Sequence, residues 1–384
     1  MIIMEKILND IAAKESEMLA FLERLVNIDS GIDNPEGIDQ VAKIVGNKLS
    51  QLGFEVEYLE YPGACTHVLA RKRGTGNKSV MIMGHMDTVF PKGTAAARPF
   101  TIKDGRAYGP GVLDMKGGIT AALFALEAMY ENGWNEKNIT VFFCGDEETG
   151  HPKTNAAELF YREAKGKDAV FNMESGRPDG GIVVGRKGAI IPKLTVKGVS
   201  AHAGLEPEKG ASAILELAHK TIALHNLTNY ETGTTINVGI VKGGVAQNVV
   251  PDHAEAVVDV RFTKVEEAEK VLAAIRAIAE EVVVPNTKTI LTDDRIVFMP
   301  METTEGVKKL HALVQEQGRK LGIPEIKGFF VGGGSDAAWT VQAGAPTVCS
   351  MGPRGGLNHS DREYIELDGL IERSKLLALC VDAV

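Results

Sequence analysis

Five short segments of the chain carry side chains that can bind metal ions or transfer protons. Each follows a strand-like apolar run, opens a helix-like one, or lies near the C-terminus. They are residues 84–87 (GHMD), 109–118 (GPGVLDMKGG), 145–148 (GDEE), 172–174 (NME) and 358–361 (NHSD). Histidine and carboxylates without thiolates form the ligand set expected for zinc, cobalt or manganese in hydrolytic sites. The pattern therefore indicates metal-assisted hydrolysis.

Three consecutive carboxylates, Asp146 to Glu148, follow an apolar strand-like segment. Carboxylates beside apolar strands are unfavourable unless positive charge compensates them, and a cation does so directly. Taken alone, His85 is more often a packed histidine and Asp114 a helix cap. Their occurrence together favours a metal site over a solvated acidic turn. In an extended segment Glu147 and Glu148 point to opposite sides, so one can face a metal and the other the reacting water.

Apolar periodicity predicts an α/β fold. Residues 80–83, 139–143 and 169–172 have the pattern of buried strands, and residues 119–130 carry the apolar stripe of a helix. The alternation predicts a mostly parallel central sheet flanked by helices, with ligands bound beyond the carboxyl ends of the strands. Near the C-terminus we expect a helix at 306–321, a strand at 329–331 and a helix at 367–381.

The pattern changes between residues 188 and 297. The predicted order is strand 190–196, helix 211–224, strands 235–241 and 254–262, helix 265–282 and strand 287–291. This βαββαβ order is typical of a small two-layer α+β domain. We therefore expect a discontinuous catalytic domain, residues 1–187 and 298–384, interrupted by an inserted domain, residues 188–297.

Composition limits the partners and the compartment. The 384 residues carry a formal net charge of −9, which disfavours nucleic acid and acidic membranes as partners. No segment approaches the ~20 apolar residues of a membrane span. The four cysteines, at positions 65, 144, 349 and 380, form no CxxC pair. Their spacing disfavours a disulfide framework and a thiolate zinc site, and favours the cytoplasm.

Two other classes of function are less well supported. Residues 74–79 (GTGNKS) have the composition of a phosphate-binding loop, but Asn77 precedes Lys78 and the apolar strand comes afterwards, so we interpret them as a hairpin turn. A metal- or ligand-binding relative without catalytic activity would keep the same fold. Measuring metal content separates that alternative from an enzyme.

Taken in order, the motifs resemble one family, the cocatalytic zinc aminoacyl hydrolases. This family includes glutamate carboxypeptidase, acetylornithine deacetylase, succinyl-diaminopimelate desuccinylase and peptidase T. The motifs cover nearly the whole chain: HMDTVFPKG (85–93), YGPGVLDMKGG (108–118), GDEETG (145–150), MESG (173–176), SAHAG (200–204), QNVVP (247–251), GGGSDA (332–337) and NHSD (358–361). Residues 87–93, 98–100 and 108–111 look closest to the glutamate carboxypeptidase branch.

The resemblance implies two Zn²⁺ ions per chain, with Co²⁺ or Mn²⁺ as alternatives. Asp114 would bridge the two ions. His85 and Glu174 would complete the ligands of one ion, and Glu148 and His359 those of the other. The resemblance also implies a cis peptide directly after Asp114.

The resemblance implies further roles around the metals. Glu147 would be the general base, and Asp87 would orient the metal-binding histidine. The inserted domain would act as a lid and dimerisation domain, from which His202 stabilises the oxyanion in the partner's active site of a homodimer. The substrate carboxylate would be held by Asn248, Arg261, Gly334 and Ser335.

The implied reaction is hydrolysis of an amide bond by a dizinc-bound hydroxide. The favoured substrate is an N-acyl or peptidyl amino acid that loses its C-terminal residue, with glutamate as the candidate. Deacylation of an N-acyl amino acid and cleavage of di- or tripeptides are the alternatives, because all three break the same bond.

Overall fold

The computed structural model describes residues 2–384, which form two compact units. The larger unit contains the chain up to Val184, Thr303–Phe330 and Trp339–Val384, and the inserted unit contains Gly185–Glu302 and Val331–Ala338. Residues 331–338, which we expected in the discontinuous domain, group with the inserted unit. Within the described chain, no helix combines the length and apolar character needed to cross a membrane.

The helices of residues 2–384 begin and end as follows: α1 Ile2–Ala13, α2 Glu15–Val26, α3 Pro35–Gln51, α4 Thr94–Ala97, α5 Gly117–Glu131, α6 Ala156–Ala164, α7 Ala213–His225, α8 Val265–Glu280, α9 Glu305–Lys320, α10 Ala337–Gln342 and α11 Leu367–Ala383. The strands are β1 Glu55–Tyr61, β2 Cys65–Lys72, β3 Ser79–His85, β4 Thr101–Lys103, β5 Arg106–Tyr108, β6 Asn138–Cys144, β7 Ala169–Asn172, β8 Ile182–Arg186, β9 Gly188–Ile190, β10 Lys193–Lys197, β11 Ala201–His202, β12 Thr235–Gly243, β13 Val249–Val250, β14 His253–Phe262, β15 Lys288–Thr292, β16 Ile296–Phe298, β17 Gly328–Val331, β18 Thr347–Val348, β19 Gly355–Gly356 and β20 Tyr364–Glu366.

A six-stranded sheet with the order β1-β2-β6-β3-β7-β18 forms the centre of the larger unit. Strands β6, β3, β7 and β18 are parallel, which confirms the predicted mostly parallel sheet. Strands β1 and β2 add an antiparallel edge. The segment 74–79 connects β2 to β3, and β6 lies between these strands, so the hairpin interpretation of that segment was wrong.

Both faces of this sheet are covered, because its strands alternate between two apolar clusters. On β3, Val80 and Ile82 join the cluster formed with α5 and α11, whereas Met81 and Met83 join the cluster on the opposite face. All four side chains are fully buried. A sheet buried on both faces explains the continuous apolar runs seen in the sequence.

The inserted unit has a sheet of order β15-β10-β14-β9-β16, with β12 paired to β14. Along β14 the buried residues alternate, and its inward face packs against α7 and α8. Helix α7 begins after Ser212, whose Oγ accepts a hydrogen bond from the Leu215 N–H at 3.1 Å. The predicted βαββαβ order is therefore present as β10-α7-β12-β14-α8-β15.

Some predicted boundaries in this unit were wrong. The predicted strand 190–196 is divided into β9 and β10 around Pro192, which has no N–H to donate to a neighbouring strand. Helix α8 ends at Glu280, two residues before the predicted end. These differences change no candidate site residue.

Candidate metal centre

Three parallel strands bring the predicted ligands to one edge of the central sheet. His85 at the end of β3 pairs with Cys144 at the end of β6, and Met83 pairs with Asn172 at the end of β7. The segments that follow β6 and β7 therefore begin beside His85. This is the carboxyl edge at which open α/β sheets bind ligands.

The first group of ligands consists of His85, Asp114 and Glu174. His85 Nε2 lies 3.1 Å from Asp114 Oδ1 and 3.4 Å from Glu174 Oε1. All three residues are buried, and their ligand atoms lie within 4.8 Å of one another. The Nδ1 of His85 lies 3.1 Å from the backbone carbonyl of Asp87, to which it donates. That contact directs Nε2 toward the two carboxylates.

The second group of ligands shares Asp114 with the first and adds Glu148 and His359. His359 Nε2 lies 3.1 Å from Asp114 Oδ2 and 3.4 Å from Glu148 Oε2. Asn358 donates from Nδ2 to Asp114 Oδ2 at 3.2 Å. The two oxygens of Asp114 thus face different groups, and the peptide after Asp114 is cis, as expected.

The histidines and carboxylates of the two groups shift one another's pKa values. Burial by itself raises the pKa of Asp114, but hydrogen bonds from His359 and His85 outweigh it and hold that pKa well below its usual range. Hydrogen bonds to Asp114 and Glu148 raise the pKa of His359 to about 10. Burial raises the pKa of Glu148. Carboxylates packed so closely favour positive charge between them, which a divalent cation supplies.

The donor set fits zinc, cobalt or manganese. It consists of two imidazoles and three carboxylates, without a thiolate. Within the described chain, Glu148 Oε1 is buried and has no hydrogen-bond partner. A buried carboxylate oxygen without a partner is costly unless a ligand or ion compensates it. The side chains are therefore suited to hold a metal.

Asp87 connects the histidine to the carboxylate run. It is fully buried, and its Oδ1 and Oδ2 accept hydrogen bonds from the backbone N–H groups of Glu147 and Glu148, at 3.1 and 3.0 Å. Its Oδ1 also lies 3.4 Å from His85 Nδ1. Asp87 therefore contacts the predicted ligand His85 and also holds the backbone of the predicted base, Glu147.

We expected the carboxylate run to be extended, but it is not. Glu147–Thr149 form one short helical turn. The argument from strand alternation was therefore wrong, although the two side chains still differ: Glu148 belongs to the second group of ligands, and Glu147 belongs to neither group.

In the inserted unit the structure brings His202 and Asn248 together. The strands β11 and β13 pair His202 with Val249, and the Ala203 N–H donates to the Asn248 carbonyl at 2.9 Å. His202 is exposed, and its Nδ1 accepts hydrogen bonds from Gly204 and Leu205, each at 3.1 Å. In neutral His202 the proton is therefore on Nε2, which can donate.

The remaining predicted substrate residues lie elsewhere in the inserted unit. Arg261 donates from Nε and Nη2 to both carboxylate oxygens of Asp259, at 2.7 and 2.8 Å. Ser335 is buried, and Arg186 donates to the carbonyls of Gly333 and Gly334, at 3.2 and 3.0 Å. The guanidinium of Arg261 is thus already hydrogen-bonded to a carboxylate of the same strand, β14.

Sequence reasoning missed Glu363 beside the predicted bridging ligand. This fully buried carboxylate accepts hydrogen bonds from the N–H groups of Gly111, Leu113 and Asp114, at 3.1, 2.8 and 2.9 Å. Burial raises its pKa to about 7, against the opposing effect of these bonds. Glu363 fixes the turn that carries Asp114. In the sequence it directly follows two other charged residues, Asp361 and Arg362, and such a run is typical of a solvated turn, so the sequence gives no sign of its role.

Replacing Glu363 with alanine should weaken metal binding by about 10–100-fold, as for other residues that orient metal ligands. The substitution leaves three backbone N–H groups near Asp114 without their acceptor. Competition with a chromophoric chelator measures the affinity. Asp361→Ala, at a side chain that is 88% exposed, is the matched control. A folded Glu363→Ala protein with unchanged metal affinity would remove Glu363 from this positioning role.

Comparison with known proteins identifies the family. The sequence profile of peptidase family M20/M25/M40 matches residues 81–383. The chain belongs to this family. It is therefore a metal-dependent hydrolase of amide bonds. This result confirms the family resemblance.

The relatives of this chain are named for different activities. Carboxypeptidase G2 from Pseudomonas sp. (strain RS-16) is 31% identical over 376 residues, which cover 95% of this chain and 88% of that protein. Succinyl-diaminopimelate desuccinylase from Psychrobacter arcticus is 26% identical, and the alignment covers 94% of this chain and 92% of that one. The structure of aminopeptidase PepT from Bacillus cereus ATCC 10987 is 24% identical, covers 96% of this chain and 98% of its own, and has a TM-score of 0.82. That structural likeness shows the fold.

Proposed function

We propose that this enzyme removes a C-terminal amino acid, with glutamate as the candidate, from an N-acyl or peptidyl substrate. The observation that carries the hydrolytic part is the convergence of five ligands in two groups that share Asp114. The substrate assignment is supported by the similarity to carboxypeptidase G2 over nearly the whole chain.

The two groups of side chains would hold two zinc ions, with cobalt or manganese as substitutes. His85 and Glu174 would bind one ion, Glu148 and His359 the other, and Asp114 both. When bound, the metals would supply an activated water nucleophile at neutral pH and polarise the amide carbonyl. The protein's part is to hold these side chains in place, which Asp87, Asn358 and Glu363 do through the hydrogen bonds described above.

Glu147 is the proposed general base. Its carboxylate would take a proton from the attacking water and deliver it to the departing amine nitrogen. Its backbone is held by Asp87, and its neighbour Glu148 is a proposed ligand, so the base is positioned beside the metals. Glu147 belongs to neither group of ligands, as expected of a residue that transfers protons and does not bind metal.

His202 is proposed to donate a hydrogen bond to the oxyanion of the tetrahedral intermediate. Its Nδ1 accepts from two backbone N–H groups, so Nε2–H is the donor that faces outward. Donors of this kind act by stabilising charge that develops in the transition state. We propose that each His202 serves the active site of the partner subunit.

A homodimer formed through the inserted unit is supported by its exposed apolar surface. Within the described chain, the edge of β12 away from β14 pairs with no other strand. Large apolar side chains are exposed on or near β12 and α7, among them Ile222, Ile240, Val241 and Val245. An unpaired strand edge with apolar neighbours is a surface that another chain can cover.

The substrate carboxylate is proposed to bind Arg261, with Asn248 and the backbone at Gly334 and Ser335. Guanidinium binds carboxylates in a two-pronged geometry, and Arg261 already does so with Asp259. Asp259 would then be a competitor that the substrate displaces.

Arg261→Ala should raise KM for carboxylate-bearing substrates, by roughly 10-fold or more for the loss of one charge-assisted hydrogen bond. Asp259→Asn is the matched variant, because it frees the guanidinium without removing it, and it should leave KM unchanged or lower it. Steady-state kinetics and thermal unfolding of both proteins provide the measurement. If both variants lower stability equally and neither changes KM, the pair is structural.

Two alternative substrate classes break the same bond. The desuccinylase relative supports removal of a small acyl group, whereas the PepT structure shares the fold and leaves cleavage of short peptides as the other alternative. A cytoplasmic location is a further part of the proposal; in the described chain all four cysteines are buried and none forms a disulfide.

A substrate panel distinguishes these classes. One series varies the C-terminal residue at a fixed acyl group, and the other varies the acyl group at a fixed C-terminal residue, with amine release as the readout. We expect kcat/KM to follow the C-terminal residue and to be highest for glutamate. If it instead follows a small acyl group, the enzyme is a deacylase, and the carboxypeptidase assignment fails.

A further inference from the structure

A second cluster of metal-binding side chains lies in the larger unit and contains none of the five proposed catalytic ligands. Strands β2 and β6 pair, with Leu69 opposite Phe142. Because side chains alternate along a strand, every second residue counted from Leu69 and from Phe142 points to the same face of the sheet. That face carries four polar or thiol side chains, joined by His151 from the loop after the carboxylate run. The cluster consists of Cys65, His67, Cys144, Asp146 and His151.

The cluster is compact and buried. Cys65 Sγ lies 3.7 Å from His67 Nδ1, His67 Nε2 lies 4.0 Å from Asp146 Oδ1, and His151 Nδ1 lies 2.7 Å from the same oxygen. The side chains form two sets of three, and Asp146 belongs to both. In each set the three ligand atoms lie within 4.8 Å of one another. The sets are Cys65–His67–Asp146 and Cys144–Asp146–His151. Cys65 is 2% exposed, and the others on the strands less.

The sequence argument against a thiolate site does not hold in three dimensions. Cys65 and Cys144 are 79 positions apart in sequence (144 − 65), but the β2–β6 pairing places both on one face of the sheet. Two thiols, two imidazoles and one carboxylate form a softer ligand set than the catalytic one, which contains no sulfur ligand. Such a set selects zinc and related ions.

Other contacts define how an ion would bind. Gly145 donates its N–H to His67 Nδ1 at 3.1 Å, so the His67 nitrogen that faces Asp146 is Nε2. Thr154 donates to Asp146 Oδ2 at 2.8 Å, and Oδ1 faces both histidines. Burial, with the charges of Asp146, Asp87 and Asp39, raises the pKa of the Cys65 thiol, so its thiolate forms only where a cation compensates the charge.

We propose that Cys65, His67, Cys144, Asp146 and His151 form a further site for a soft divalent cation such as Zn²⁺. Binding converts each coordinating thiol to a thiolate and releases its proton to solvent. An ion there replaces the hydrogen bond between His151 and Asp146. A cavity of about 540 Å³, lined by residues that include Cys65, Asp39 and Lys43, offers an entry path.

Bound metal would connect β2 to the turn that begins at Asp146. That residue directly precedes Glu147, so an ion at this site would stabilise the loop that carries the proposed base. The role is structural, and it does not depend on the proposed substrate or on the number of catalytic ions.

Cobalt substitution tests the proposal directly. The full chain is stripped with a chelator and reloaded with Co²⁺, and its near-ultraviolet absorption is recorded. We expect a thiolate-to-cobalt charge-transfer band, which the catalytic ligands cannot produce because none is a thiolate. Absence of this band in the cobalt-loaded wild-type protein overturns the proposal, and that result requires no variant to fold.

Matched variants assign the band to these residues. Cys65→Ser combined with Cys144→Ser should abolish it and lower the zinc content, measured by native mass spectrometry, by one ion per chain. Cys380→Ser, at a buried thiol in α11, should retain both the band and the ion. His85→Ala should retain the band while it weakens catalytic metal binding. A band that persists without Cys65 and Cys144, or zinc content that does not change, would also contradict the proposal.

Discussion

Glu147→Gln is expected to lower kcat by about 10²–10⁴-fold, the range that general acid–base catalysis contributes. Glutamine has the shape of glutamate but cannot accept the proton of the attacking water or return it to the leaving amine. Metal content should stay at the wild-type level, because Glu147 belongs to neither group of ligands. Single-turnover kinetics with elemental analysis measure both quantities on one sample.

Glu148→Gln is the matched control for this experiment. It makes the same chemical change one residue later, at a proposed ligand whose Oε2 lies 3.4 Å from His359 Nε2. We expect it to lower metal affinity, so that added zinc partly restores its activity. Added zinc should not restore Glu147→Gln. A Glu147→Gln protein that keeps full activity would remove Glu147 from the role of base.

His202→Ala is expected to lower kcat by about 10²–10³-fold, the cost of removing one oxyanion donor. The side chain is exposed and its contacts are two local backbone hydrogen bonds, so folding should be unaffected. KM should change less than kcat, because the hydrogen bond strengthens in the transition state. His253→Ala, an exposed histidine of the same unit, serves as the control and should keep wild-type kinetics.

Mixed dimers test whether His202 acts across the subunit interface. In a hybrid of Glu147→Ala and His202→Ala chains, one site combines an intact Glu147 with the intact His202 of the other subunit. Random exchange of equal amounts should then restore about a quarter of wild-type activity, since half of the dimers are hybrids with one working site each. If His202 acts within its own chain, no hybrid site is complete, and activity does not recover.

Sequence periodicity predicted three of the four parallel strands, β3, β6 and β7, because each is a continuous apolar run that is visible locally. The two-residue strand β18 was not predicted. Strand β7 occupies Ala169–Asn172 as predicted, since it is buried on both faces. The edge strand β1 was not predicted. Its residues, Glu55–Tyr61, are mostly exposed, and its glutamates break the regular alternation of apolar and polar residues that marks a strand. Its position depends on pairing with β2, which local sequence does not encode.

Four of the five proposed metal ligands could be grouped from the sequence because each follows a strand or opens a helix in the larger unit. Strand direction alone places such residues at one sheet edge. The supporting contacts could not be predicted in this way. Glu363 acts through three backbone N–H groups about 250 residues away in sequence, a relation that exists only in the folded chain. Likewise, the cluster around Asp146 depends on the pairing of β2 with β6.

The most direct test of the account is amine release from an N-acyl glutamate by three samples of one preparation. These are the purified enzyme, the enzyme stripped of metal by a chelator, and the stripped enzyme reloaded with zinc, each with its metal content measured. We predict that release is lost on stripping and returns on reloading in proportion to the zinc bound. Release that continues at the same rate in verified metal-free protein would contradict the metal centre built around Asp114.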